Sequence, residues 1–371
     1  MNQRYQPITR LGLGGTGLGD MYHTTRDEAA RATVDAAWEA GIRYFDTAPH
    51  YGAGLSEHRF GQALRNRPRD EYTLSTKVGR LLAPAWPGEI ASPFVNALPF
   101  RRVIDYTADG VRRSVEDSLQ RLALGHIDIA YVHDLSPDQF GNEFEHYYRI
   151  AAGPGGAFEG MVRLRKEGII KAWGLGVNTV EPCLRALRHS DPDIFLLAGR
   201  YTLMETTPLA ELFPLCAERG AHVVIGGPFN SGFLAGGDHY DYAPAKPGQH
   251  QHRERLRQVS ARHGVDLAAA ALQFGAAHPV VAATIPGASS PSTCAATPPS
   301  WLSPSRRSSG RRCVTKGLCR RRRRCRARRQ SRHERPDARR RYCTFSGTGS
   351  RTRMNSPSSG RLGEREPAPP G

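Results

Sequence analysis

Apolar residues fall in two alternating patterns through most of this chain: short continuous runs, and stretches with a spacing of three to four. The segment TTRDEAARATVDAAWEAG opens with Thr25 and Glu28 in capping-box spacing and sets Ala30, Val34, Ala37 and Trp38 on one helical face. Gly41 then stops it. IRYFD follows as a short strand and EYTLSTK (71–77) as another. Val111, Val115 and Leu122 predict a helix ending near Gly125, and IDIAYVHD is the next strand. The alternation continues with helices at 160–167, 180–189, 209–219 and 251–276, between the strands KAWGLGV, DIFLLA, AHVVIGG and VVAATIP.

With ITRLGLGG as the first, that makes eight strands, each running into a helix except the last. Runs such as VVIG and FLLA are apolar throughout, as strands buried on both faces of a parallel sheet must be. Eight such units in about 250–300 residues predict a TIM (β/α)8 barrel. The rival, a doubly wound sheet, lacks its signature: no GxGxxG follows a strand with an acidic residue about 20 positions on. GLGGTGLG fits neither that spacing nor a P-loop, so Gly14 reads as part of a close backbone turn beside a ligand.

Charge divides the chain. Of 52 Lys+Arg and 35 Asp+Glu, residues 292–371 hold 22 and 4, which leaves 30 and 31 for residues 1–291. The +17 of the whole therefore belongs to a basic tail, and 1–291 is a near-neutral enzyme-sized domain. Only Cys183 and Cys216 lie in that domain, too few for a disulfide framework. MNQRYQPITR has no apolar signal core and no run is long enough to span a bilayer, so a cytoplasmic protein is expected.

Chemistry gathers at the C-terminal ends of barrel strands. Asp46 closes the second strand with Tyr51 in the loop beyond, Lys77 closes the third and His133 the fourth. Alone, each has a bland reading as a turn, cap or packing residue. Together they are a set for moving a proton on and off a carbonyl or alcohol oxygen. An ammonium lowers a neighbouring phenol's pKa, a carboxylate keeps that ammonium charged, and an imidazole polarises the substrate oxygen. No His/Cys/Asp cluster has metal spacing, and no metal is expected. The long loops 79–105, 134–156 and 227–250 leave the same face and are expected to shape substrate choice. Tyr131 and Trp173 read as core or wall; Arg200 reads equally as a ligand contact or a surface ion pair.

The stretches FDTAPHYGAGLSEHRFGQAL, STKVGR, DGVRRSVEDSLQRLALGHIDIAYVHD, GLGVN, LLAGRYTLME, GGPFNSG and IPGASSP resemble the aldo-keto reductases. The branch most resembled holds aldose, fucose and galactose 1-dehydrogenases and pyridoxal dehydrogenase. The resemblance implies Tyr51 as proton donor in reduction and acceptor in oxidation, Lys77 as its tuner, Asp46 as the holder of Lys77, and His133 as the group orienting the substrate oxygen. It implies NAD or NADP along the barrel mouth. Asn178 would bind the carboxamide, Pro228, Phe229, Asn230 and Ser231 would wrap the pyrophosphate, and Gly287 with Ser289 would begin the adenosine site. Two positions depart from many relatives: Ala198 stands where a glutamine binds the amide, and Gly226 where an aromatic stacks on nicotinamide. The sugar-dehydrogenase branch shares both changes.

The implied activity is hydride transfer between nicotinamide and an aldose C1 or a similar alcohol or carbonyl. The partner is then a small sugar, alcohol or aldehyde, and the protein a monomer or homodimer. A general aldehyde or ketone reductase, and a cofactor-binding partner protein without turnover, are the alternatives.

The domain expected from the resemblance is 1–291, lacking its last helix, with 292–371 a disordered low-complexity tail. CRRRRRCRARRQSRHERPDARRR (319–341) could bind nucleic-acid phosphates or be a solvated tail. A third reading accounts better for a resemblance that stops in mid-motif after Pro291. Codons for STCAATPPSWLSPSRRSSGRRCVTKGLC, shifted by one base, can spell EHVRRNAAFLAEPIPAELWAALRDEGLV, a peptide absent from this chain. It has a charged helix start, the family's asparagine for the adenosine, and a second amphipathic helix. The tail then reads as an out-of-frame translation.

Overall fold

The structure is a computed structural model, and it describes residues 4–86 and 93–292. Eight parallel strands form one sheet: β1 (Leu13–Gly14), β2 (Tyr44–Asp46), β3 (Thr73–Val78), β4 (Ile127–His133), β5 (Ile170–Val177), β6 (Ile194–Ala198), β7 (His222–Gly226) and β8 (Val281–Ile285). Each pairs with the next in sequence order. Parallel bridges Leu11↔Thr284 and Gly14↔Gly287 join β1 back to β8 and nearly close the barrel. This sequential order excludes the doubly wound alternative, whose strands reverse about a switch point.

Inside the barrel, Tyr44, Ile129, Tyr131, Ile194, Leu196, Val224 and Ile285 pack into one cluster. A larger apolar layer, including Phe45, Leu74, Val111, Met161, Trp173 and Phe195, fills the space between strands and helices. Tyr131 and Trp173 are both fully buried, as inner and outer core residues.

Several sequence expectations need correction. Thr25 and Glu28 form no capping box. The first helix spans Asp27–Glu39 with no side-chain cap, because Asp20 Oδ1 takes the Thr25 backbone N–H. Ala30, Val34 and Ala37 are its buried face, as the spacing predicts. The helix bearing Val111 and Val115 spans Ala108–Leu122 and ends on Ala123 at φ 55°, two residues before Gly125. The 251–276 stretch is two helices, Pro247–Arg262 and Leu267–Gly275, broken at Gly264 (φ 65°). Leu55–Leu64 is a helix that the apolar pattern did not reveal.

The three long loops carry structure of their own. The first holds a hairpin of Arg80–Pro84 with Phe100–Ile104, the second the helix Phe144–Ala152, and the third a small hairpin of His239–Tyr240 with Ala243–Pro244. Among the described residues no helix is long and apolar enough to cross a membrane, and no group of three or more His, Cys, Asp or Glu could hold a metal ion. The tail from 293 onward lies outside the described residues.

Candidate active site

The local sequence explains how the strand ends converge. β2 stops at Asp46, and the segment that follows winds through tight turns to Tyr51, whose loop is held by Gly19. A Cβ on Gly19 would lie 2.6 Å from the Tyr51 carbonyl carbon, so only glycine permits this approach of the two chains. Asp46 pairs in register with Ser75 of β3, two residues before Lys77, which brings both side chains to one level. Lys77 is the penultimate residue of β3, and His133 the last of β4.

Lys77 is 1 % exposed. Its Nζ donates to Asp46 Oδ2 at 2.8 Å and to the Thr47 carbonyl at 2.8 Å, and lies 4.6 Å from the Tyr51 ring centre. Ser75 Oγ donates to the other Asp46 oxygen at 2.6 Å. Burial pulls the lysine pKa down, but Asp46 and then Tyr51 more than offset it, so its pKa is raised and it stays an ammonium. For Tyr51 the balance tips the other way. Burial pushes the phenol up from its ordinary value, and Lys77 pulls against that without reversing it. The neighbouring ammonium, all that the sequence shows, predicts a lowered phenol, and burial reverses that.

The rings of Tyr51 and His133 lie 6.0 Å apart and nearly perpendicular. Burial first, then Arg80, Lys77 and His50, hold the His133 pKa well below the usual imidazole range, so the ring is neutral. Tyr106 fixes the end of β4 by donating to the His133 carbonyl at 2.7 Å. The four residues therefore offer a phenol backed by a buried ammonium and, across from it, a neutral imidazole. Such a set can pass a proton to or from an oxygen placed between the two rings.

Two cavities meet at Tyr51. The one on the His133 side, about 280 Å³, is lined by Lys77, His50, Asp134, Phe94 and Asn178. Its neighbour, about 310 Å³, runs along the barrel mouth between β1, β7 and β8. Of the residues expected to contact a cofactor, Gly14, Pro228, Phe229, Ser231, Gly287 and Ser289 line this second space. Asn178 instead opens into the first, its Nδ2 3.3 Å from Asp138 Oδ2. Asn230 lines neither: it is 1 % exposed and donates to the Gly199 carbonyl at 3.1 Å, so it braces the loop. Arg200 is an ion-pair residue, 2.9 Å from Asp241.

Ala198 and Gly226, the two departures from the family pattern, are partners in register on β6 and β7. Both line the long cavity, so trimming one side chain on each of two facing strands widens the same stretch of wall. A Cβ at Gly226 would stand 3.1 Å from Leu196 Cδ2. The space is an apolar trough with serine hydroxyls and glycine backbone at its edges, open to Tyr51 at one end. It suits a flat ring and a polar chain, and the residues present fit a nicotinamide cofactor.

Sequence reasoning missed the buried charges that support this face. Arg59, 5 % exposed, donates to Asp20 Oδ1 and the Leu18 carbonyl, both at 2.7 Å, tying the glycine loop to the helix Leu55–Leu64. Glu57, fully buried on that helix, accepts from Thr76 and Arg121 at 2.6 Å each. Both lie in GLSEHRFG, where two charged residues in a stretch without apolar periodicity give no reason to expect burial.

The family model for the aldo/keto reductase family matches residues 10–301. The chain belongs to the aldo/keto reductase family. It is an NAD(P)-dependent oxidoreductase. It is 42 % identical to pyridoxal 4-dehydrogenase of Microbacterium luteolum over 298 residues, 76 % of this chain and 86 % of that protein. It is 38 % identical to D-threo-aldose 1-dehydrogenase of a Pseudomonas species over 294 residues, with the same shares covered. Among solved structures, the holo form of an aldo-keto reductase from Bacillus halodurans superposes with a TM-score of 0.64 at 26 % identity, covering 86 % of this chain and 96 % of that one.

Proposed function

We propose that this reductase oxidises a cyclic hemiacetal, an aldose at C1 or a compound of similar chemistry, to a lactone. The observation that carries the reading is the buried Lys77–Asp46 pair beneath Tyr51, at the junction of the two cavities. The names of the two relatives support the substrate class. Aldoses close on themselves as hemiacetals, and pyridoxal carries a hydroxymethyl group beside its aldehyde that can do the same.

Tyr51 accepts the hydroxyl proton in oxidation and returns it in reduction. Lys77 stabilises the phenolate that oxidation requires, and Asp46 and the Thr47 carbonyl hold Lys77 in place. His133, being neutral, donates one N–H to the reacting oxygen and fixes it against Tyr51. A bound nicotinamide supplies the hydride acceptor, which no side chain can replace. Gly14, Pro228, Phe229, Ser231, Gly287 and Ser289 would hold it along the trough, Asn178 in the adjoining cavity would take its carboxamide, and Asn230 braces the loop. Per turnover, Tyr51 takes one proton from the hemiacetal hydroxyl and passes it to solvent, while the hydride would leave for the nicotinamide.

The substrate is a free small molecule, and the compartment a reducing one such as the cytoplasm. Cys183 and Cys216 are both buried free thiols, which suits that setting. The deciding experiment offers NAD and NADP with a panel of aldoses, pyridoxal and simple aldehydes, following cofactor absorbance and identifying the product. Lactone from a sugar or from pyridoxal is expected. Turnover of simple aldehydes alone would favour a general carbonyl reductase and overturn the dehydrogenase reading.

A further inference from the structure

Directly beside the expected position of the reacting oxygen stands a carboxylate with no place in the mechanism above. Asp134 follows His133, lines the same cavity, and has a half-buried side chain. Its backbone is held at φ 49°, a left-handed conformation that disfavours most side chains but tolerates aspartate. The Asp134 N–H donates to the Gly176 carbonyl at 2.8 Å, which pins it in that pose. Oδ2 is 3.5 Å from His133 Nε2 and accepts from Arg80 Nη2 at 2.8 Å. Arg80 is 6 % exposed.

A bare carboxylate here would oppose negative charge on the reacting oxygen. Arg80 removes that objection by pairing with it, leaving an acceptor-only group with lone pairs to spare. Arg80 Nη1 also lies 3.5 Å from His50 Nδ1, a second contact for the guanidinium beside its bond to Asp134. Because Oδ2 lies 3.5 Å from His133 Nε2, an oxygen held on that nitrogen would stand beside the carboxylate.

We propose that Asp134, positioned by Arg80, determines specificity by accepting a hydrogen bond from a hydroxyl on the carbon next to the reacting one. The proposal rests on the hemiacetal reading and narrows it to 2-hydroxy substrates. A site with a positioned acceptor for a hydroxyl discriminates against the analogue lacking it, because that analogue forfeits a hydrogen bond to a charged group.

The test compares kcat/KM for the aldose turned over fastest in the screen with that for its 2-deoxy counterpart, using the full chain at saturating cofactor. The parent should prefer the 2-hydroxy sugar by roughly tenfold to a hundredfold, the range for a hydrogen bond to a charged group. Asp134→Gly deletes the carboxylate while suiting the left-handed backbone, and should bring the ratio to within about threefold of unity. Asp134→Asn keeps the backbone and size, and should give an intermediate ratio even if the glycine variant does not fold. A ratio unchanged by the substitutions, whatever happens to the absolute rates, overturns the proposal and leaves the function standing. A screen in which the parent turns over no aldose overturns the functional reading, and this proposal with it.

Discussion

At the scale of single residues, the candidate site was visible as four side-chain types arriving at successive strand ends; in the structure Tyr51, Lys77 and His133 line one cavity, and Asp46, paired with Lys77, lines the adjoining one. Their electrostatics were less visible, because desolvation depends on what covers a group and not on its neighbours in sequence. Tyr51 shows the difference: burial raises its pKa and Lys77 only moderates the rise. In oxidation the phenolate is the active form, so the rate climbs with pH toward the Tyr51 pKa. Lys77→Met removes the moderating charge and should move that climb to higher pH while lowering the plateau. A pH profile for oxidation identical to the parent's would count against Lys77 as the tuner. Tyr51→Phe deletes only the transferable proton, and a rate loss of about 10²–10⁴ is expected with cofactor affinity nearly intact. Activity within about threefold of the parent, on the same scale, would remove Tyr51 from the proton-transfer role. His133→Ala should reduce both kcat and discrimination among substrates; if steady-state kinetics change in neither respect, His133 is a packing residue at a strand end.

At the scale of elements, the eight strands were legible because continuous apolar runs such as VVIG and FLLA admit few readings. Boundaries were less so. The helix Leu55–Leu64 escaped notice because its buried face includes Glu57, Arg59 and Gly61, residues that no apolar periodicity marks. These charges are satisfied inside the fold, by Thr76 and Arg121 for Glu57 and by Asp20 for Arg59, information held by distant segments. The glycine loop is the element on which the site's geometry most depends. Gly19→Ala would press a methyl group into the backbone of Tyr51 and Gly52, which must then shift. Displacements near 1 Å cost on the order of 10² in rate when they disturb reacting groups. Steady-state kinetics on a folded Gly19→Ala protein should therefore show a loss of about that size, and parental kcat would mean the loop yields elsewhere.

At the scale of the whole molecule, the division of charge and the family match point to the same place. Residues 1–291 are near neutral, and the family model reaches only residue 301, while the excess basicity lies almost wholly beyond. The long cavity is lined as far as Gly287, Ala288 and Ser289, the end at which an adenosine would sit. We propose that the sequence after Pro291 is read one base out of frame, and that the shifted peptide with its charged helix start is the segment that completes this end. All five residues of β8 are buried, so the barrel itself is not where the loss should show. It should show in cofactor affinity. Inserting one base near codon 292 should tighten NAD or NADP binding by about tenfold or more, the worth of one good hydrogen bond to a charged group. Fluorescence titration of both proteins measures this, and resequencing the DNA is the quickest check. If the frame stands as written and the 371-residue chain binds cofactor as tightly as the reframed one, the basic tail is genuine protein. Its surplus of arginine would then call for a salt-dependent DNA-binding assay on the full chain and on a chain cut at 291.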